Sequence, residues 1–173
     1  MTPRGKTAAP RARAAEGCPA PALPPGPDRY LYPGMVCVCA ERCVITTILA
    51  TCVAVCLWDP RSGIGGANHY LLPHDTGLVS AEGTARFGTA AFEQLVEKLA
   101  EAGASRRRLR AKVFGGMRGR GALSGDLGLR NADLAFRLLK EQRIPVDAHD
   151  TGGDRSRKLY FHTGDGLALV SYF

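Results

Sequence analysis

The sequence predicts an α+β fold, a layered sandwich of mixed β-sheet with flanking helices, built as a single domain. Three observations predict it. A length of 173 residues suits one domain and a tail. Hydrophobic residues make up 45% of the chain and aromatic residues 7%, so a core of normal size must rest on Val, Leu, Ile and Ala. Short β-branched runs come first and helical patterns alternating with strands follow, the order expected of layered α+β architecture.

Residues 1 to 28 hold seven of the eleven prolines, with Ala, Arg and Gly between them. Such a segment buries too little apolar surface to offset its ordering entropy, so a disordered tail is expected and the domain is expected over 29–173. Next come MVCVC (35–39), VITTIL (44–49), VAVCLW (53–58) and ANHYLL (67–72), four strands by length and β-branched content. In TARFGTAAFEQLVEKLAEAGA, Phe92, Leu95, Val96 and Leu99 form one helical stripe, and Gly103 marks its stop. RLRAKVF (108–114) returns to strand and ends at Gly115-Gly116. A second helix, about Leu129 to Gln142, carries Leu134, Ala135, Leu138 and Leu139 on one side and ends before Pro145. IPVDAHD, KLYFHT and LALVSYF complete the chain as strands, the last two joined by a Gly-Asp-Gly turn at 164–166.

Charge and cysteines narrow the function. No apolar run approaches the roughly 18 residues of a spanning helix, and the basic N-terminus lacks the apolar centre of a secretory signal; both favour a cytoplasmic protein with no membrane insertion. Reduced thiols are then expected for Cys18, Cys37, Cys39, Cys43, Cys52 and Cys56. The spacing of Cys37, Cys39 and Cys43 is not that of a zinc knuckle, and on a strand Cys37 and Cys39 share a face as a buried pair. His74, His149 and His162 follow no metal-ligand spacing. A net charge of +7 owes part of its excess to RRRLRAK, Arg106 to Lys112. No aromatic residue interleaves with that run and no nucleic-acid motif accompanies it, so it reads as a solvated face or a surface for an acidic protein, not a nucleic-acid site.

The chemistry lies in TTILATCVAVCLWDPRSGIGGANHYLLP, Thr46 to Pro73. DPRSG (59–63) is a turn by its Pro and Gly. A hairpin centred near Arg61 brings Cys52 and His69 within one position of direct opposition, where Cβ atoms lie roughly 4.5–5.5 Å apart. A thiol and an imidazole at that separation make a nucleophile and its base, or an inert core cysteine beside a satisfied histidine. Spacing alone leaves the choice open. Cys56, nearer the turn, would face Gly65 or Gly66 with no base beside it and reads as packing.

That stretch resembles the signature of the CheD family, the chemoreceptor glutamine deamidases of bacterial and archaeal chemotaxis. The resemblance continues through RFGTAAFEQLVEKLAEAGA, LRAKVFGGM, LGLRNADLAFRLLKEQRIPVDAHDTGG and RSRKLYFHTGDGLALV, covering roughly residues 30 to 171. It implies Cys52 as nucleophile, His69 as base and Thr46 as the residue that orients the histidine, with no metal or organic cofactor. It implies a protein-glutamine glutaminase acting on the cytoplasmic helices of chemoreceptors, with ester hydrolysis as a side activity and a CheC-type phosphatase as a further partner. The rival expectation is a CheD-like protein that regulates receptors or such a phosphatase by contact, without catalysis. The sequence departs from the family in Ala50-Thr51, where Gly-Ser is usual, which puts a methyl where a positive φ would require glycine. Met117 follows the Gly115-Gly116 pair, where a small residue is common. That pair and Gly152-Gly153 read as tight loops that could border a substrate channel.

Overall fold

The computed structural model describes residues 28–74, 85–119 and 125–173. Nine strands and two α-helices form there: β1 (Asp28–Tyr30), β2 (Met35–Cys39), β3 (Val44–Leu49), β4 (Val53–Trp58), β5 (Gly65–His69), α1 (Gly88–Glu101), β6 (Arg110–Gly115), α2 (Leu127–Glu141), β7 (Val146–Thr151), β8 (Arg157–His162) and β9 (Ala168–Tyr172). The tail expected over 1–28 lies outside the described residues, except that Asp28 opens β1.

The strands build two mixed sheets. One runs β2-β5-β4-β6-β7 and the other β1-β3-β8-β9. Strand alternation assigns the layers. From β4, Val53, Val55 and Leu57 pack with Phe92, Leu95, Val96 and Leu99 of α1 and with Leu134, Ala135 and Leu139 of α2. Ala54, Cys56 and Trp58, on its other face, pack with Ile45, Leu49, Leu159 and Phe161 of the four-stranded sheet. The molecule is therefore helices, five-stranded sheet, four-stranded sheet, the layered α+β sandwich that the order of elements predicts. Both faces of β4 are buried, which is why its sequence is continuously apolar instead of alternating.

The helices form where their stripes predict them. Phe92, Leu95, Val96 and Leu99 are all buried, and Gly103 leaves the helix at φ 101°, a backbone state open to glycine at little cost. Most boundaries differ from expectation by one or two residues, and β1 was not expected. The strand expected over 67–72 starts at Gly65 and ends at His69, because Tyr70 keeps only an isolated bridge to Val53 before the chain turns away. Arg106–Arg108 forms a single 3-10 turn ahead of β6.

The thiols also correct the expectation. Cys39 and Cys43 form a disulfide, with Cα atoms 6.4 Å apart. The chain reverses between β2 and β3, and the reversal places these two side chains within bridging distance; the linear spacing did not suggest it. Cys37 and Cys39 do share the face that packs between the sheets.

Candidate functional site

At residues 50 to 52 the chain crosses from the four-stranded to the five-stranded sheet, between β3 and β4, and Cys52 ends that crossing, half-buried. Each carbonyl of the crossing is held. Ala50 O accepts the Met117 N–H at 2.8 Å, Thr51 O accepts Asn131 Nδ2 at 3.0 Å, and Cys52 O accepts the Gly116 N–H at 2.8 Å. Glycine is needed on the opposing strand. A Cβ on Gly115, at φ 108°, would stand 2.2 Å from Cys52 O. Ala50, by contrast, is not among the positive-φ residues, so its methyl fits the turn without backbone strain.

His69 ends β5 on the face between the sheets. β4 pairs Cys56 with Ala67 and Val53 with Tyr70, one residue off the register centred on Arg61. His69 thus comes across from Ala54, and Cys52 is its diagonal neighbour on that face instead of its direct partner. Diagonal Cβ atoms lie about 7–8 Å apart or somewhat less, within reach of a long or aromatic side chain. Between these two pairs, the Val55 N–H bonds the Asn68 side-chain oxygen at 2.9 Å in place of a backbone carbonyl.

The hydroxyl against His69 comes from Thr47, not Thr46. Thr47 Oγ1 lies 2.9 Å from His69 Nδ1 and donates to Leu31 O at 2.7 Å. Strand alternation explains the difference. Ile45, Thr47 and Leu49 point between the sheets and are buried, whereas Thr46 and Ile48 point out. Thr46 instead sits in a row across the outer sheet, paired with Tyr30 on one side and Tyr160 on the other. The period-2 pattern of VITTIL was available as a signal, since the threonine in phase with Ile45 and Leu49 must face inward.

Proton accounting at Thr47 points to a proton on Nδ1 of the ring. A threonine hydroxyl has one proton, and Leu31 O takes it. Thr47 Oγ1 can then meet His69 Nδ1 only as an acceptor, so the ring proton sits on Nδ1 and Nε2 carries a bare lone pair. Among the described residues, His69 Nε2 is buried without a hydrogen-bond partner. Burial lowers the His69 pKa from its ordinary 6.5 to about 4, which keeps the ring neutral at physiological pH. The carbonyl of His69 is fixed as well, by the Gly34 N–H at 2.7 Å.

Asn131 was missed from the sequence. It lies on the buried stripe of α2 with Leu134, Ala135 and Leu139, and a polar residue on an apolar stripe was the signal. Arg157 was missed too. It is buried, its Nη1 donates to Gly115 O at 2.9 Å and to Asp150 O, and its Nη2 donates to Gly152 O at 2.5 Å. It therefore ties the two glycine loops together beside the crossing. Cys56 is fully buried, and burial pushes its thiol up, away from a thiolate. RRRLRAK lies at the opposite end of the sheet, since Arg110 pairs with Trp58 while Gly115 pairs with Val53.

A half-buried cysteine on a clamped turn, diagonal to a neutral histidine whose free nitrogen lacks a partner, has the parts of a cysteine amidohydrolase. The comparisons narrow the class. The family model described as CheD chemotactic sensory transduction matches residues 71–172. A probable chemoreceptor glutamine deamidase CheD 1 of Anaeromyxobacter dehalogenans is 53% identical over 143 residues, 82% of each chain. A probable chemoreceptor glutamine deamidase CheD of Trichlorobacter lovleyi is 44% identical over 145 residues, 82% of this chain and 88% of that one. The chain belongs to the CheD family. The stretch matched by the family model begins beyond Cys52 and His69.

Proposed function

We propose that the protein is a protein-glutamine deamidase that converts glutamines of chemoreceptors to glutamates, with Cys52 as nucleophile and His69 as base. The bare, unpartnered Nε2 of a neutral His69 carries this reading. An orphaned buried polar atom costs about 1–3 kcal/mol, and at His69 that atom lies on the face it shares with Cys52, where it can take a thiol proton.

The chemistry follows from the parts. His69 Nε2 takes the Cys52 thiol proton as Sγ attacks the carboxamide carbon. The imidazolium, steadied by its Nδ1–H bond to Thr47, then gives that proton to the departing nitrogen and ammonia leaves. The resulting glutamyl thioester is opened by water, which loses a proton to the same Nε2, and glutamate and the free thiol are released. One amide and one water become one acid and one ammonia.

The substrate class comes from the names of the relatives, whose glutamine targets lie on receptors. Receptor helices in the cytoplasm are the partners this reading carries, and a CheC-type phosphatase would be a further one. Among the described residues no helix is long and apolar enough to cross a membrane. Ammonia release from receptor fragments, measured for wild type beside Cys52→Ala, tests the assignment. Activity retained by the cysteine variant would overturn it.

A further inference from the structure

We propose that Asn131 is a positioning residue of the deamidase site, which sets the distance between the nucleophile turn and the strand that carries the base. The inference rests on the Cys52–His69 reading and adds a residue that touches neither reacting group.

The geometry is specific. Asn131 is fully buried. Its amide nitrogen spends both protons on carbonyls from two different segments, Thr51 O at 3.0 Å and Leu71 O at 2.9 Å. Thr51 immediately precedes the nucleophile, and Leu71 lies two residues beyond the base. One planar NH2 group thus links the approach to Cys52 with the exit from His69. Two of the three carbonyls of the crossing are held by backbone N–H groups of Gly116 and Met117. The middle carbonyl is the one held by a side chain, and it is held from a helix.

That helix is itself docked on the chain after the base, since the Tyr70 hydroxyl donates to Asn131 O at 2.5 Å. Gly128, one turn earlier, comes so close to the Gly116 and Met117 carbonyls that a Cβ would stand 2.6 and 2.0 Å from them. α2 therefore reaches the site through Asn131 while its neighbours lock the helix in place. Among the described residues the side-chain oxygen Oδ1 has no partner, and the two contacts the side chain makes are both donations. No apolar residue could replace them. Aspartate would present oxygens to two carbonyls.

Asn131→Ala and Asn131→Ser test the role, with Tyr70→Phe as the structural control. Tyr70→Phe deletes a buried hydrogen bond to the same residue of the same helix but leaves the Thr51–Leu71 bridge intact. The readouts are deamidation kcat and KM on receptor fragments, the rate of iodoacetamide alkylation at Cys52 read by peptide mass spectrometry, and the thermal midpoint. Asn131→Ala should lower kcat by about 10- to 100-fold at little-changed KM, the scale expected of a misplaced reacting group, and should change the alkylation rate at Cys52. The serine variant, which keeps one donor, should lose less. Tyr70→Phe should lower the midpoint comparably while kcat stays within about twofold. Equal loss of kcat in Tyr70→Phe, unchanged kcat in Asn131→Ala, or failure of both Asn131 variants to fold would each overturn the proposal. An active Cys52→Ala would instead overturn the reading beneath it, so the two failures are distinguishable.

Discussion

At the Trp58 end of the five-stranded sheet, both oxygens of the buried Asp59 are used. Oδ1 accepts the Arg61 N–H and Arg108 Nε, each at 3.0 Å, and Oδ2 accepts the Ser105 N–H at 2.9 Å and Arg108 Nη2 at 2.8 Å. Next to it, Arg110 is paired with Asp147 through Nε at 2.7 Å. At the Val53 end, His69 Nε2 and Asn68 Nδ2 are buried without a partner among the described residues. Both ends are rich in polar groups and turns. They differ in whether their hydrogen-bonding capacity is spent. The spent end holds the fold together, and the guanidinium of Arg108 keeps the Asp59 carboxyl well below the usual carboxylate range. On the proposed reading, the unspent end retains a base for a reaction.

The comparison breaks most readily at its two extremes. Cys52→Ala removes one sulfur from a half-buried turn, so deamidation should fall by at least about a thousandfold while the thermal midpoint holds. Asp59→Ala should do the reverse. It strands two backbone N–H groups and a guanidinium, so the midpoint should drop by about 5–10 °C, with kcat at permissive temperature near that of wild type. A large loss of turnover in Asp59→Ala, read from folded protein, would erase the distinction between the ends.

Thr47 sharpens it further. Thr47→Val keeps the branched shape and removes the oxygen that receives the His69 Nδ1 proton. Turnover should fall by about 10- to 100-fold and Thr46→Val should stay within about twofold, both measured as kcat on receptor fragments. The opposite ranking would return the orienting role to Thr46.

The depressed His69 pKa gives a pH signature with a defined sign. Between about 4 and 6.5 the unfolded chain binds a proton at this histidine that the folded chain does not. Stability should therefore fall as pH is lowered through that window and lose nothing more from this group below it. Urea unfolding between pH 7 and 4 should show a slope that His69→Gln flattens. The acid limb of kcat/KM should likewise lie near 4 and not near 6.5. A slope unchanged in His69→Gln would mean that other groups carry it.

Much of the fold was legible because burial here follows simple periods. Phe92, Leu95, Val96 and Leu99 announced a helix face, and the length and β-branched content of VAVCLW announced a strand. Cys52 and His69 were legible through their place around one turn, and more firmly through the family resemblance. The remainder depended on contacts between segments far apart in the chain. Asn131 bridges to residues 80 and 60 positions away, and no local pattern encodes such a bridge. The resemblance implies Thr46 as the orienting residue, whereas strand phase turns the Thr47 hydroxyl to the ring. The Cys39–Cys43 disulfide depended on how sharply the chain turns after β2.

The smallest expected effect concerns the arginine run. A basic stretch on a protein that acts on receptor helices rich in Glu and Gln invites an electrostatic steering role, in which reversing two arginines slows deamidation at low salt. The fold argues against a large contribution. Arg110 pairs with Trp58 and Gly115 with Val53, so the run sits a full strand length from the nucleophile, about 17 Å at 3.3–3.4 Å per residue. That exceeds the Debye length of about 10 Å at 0.1 M salt. Arg108 and Arg110 also have carboxylate partners already. Arg106 and Arg107 stand exposed. Reversing both to Glu should therefore change kcat/KM on receptor fragments by less than about twofold at 0.1 M salt, with a modest defect emerging near 0.01 M, where screening relaxes. Hydrolysis of a small neutral glutamine amide should not respond at either salt. A severalfold defect at 0.1 M would show that the receptor lies along the whole sheet, reaching the end that otherwise only holds the fold together.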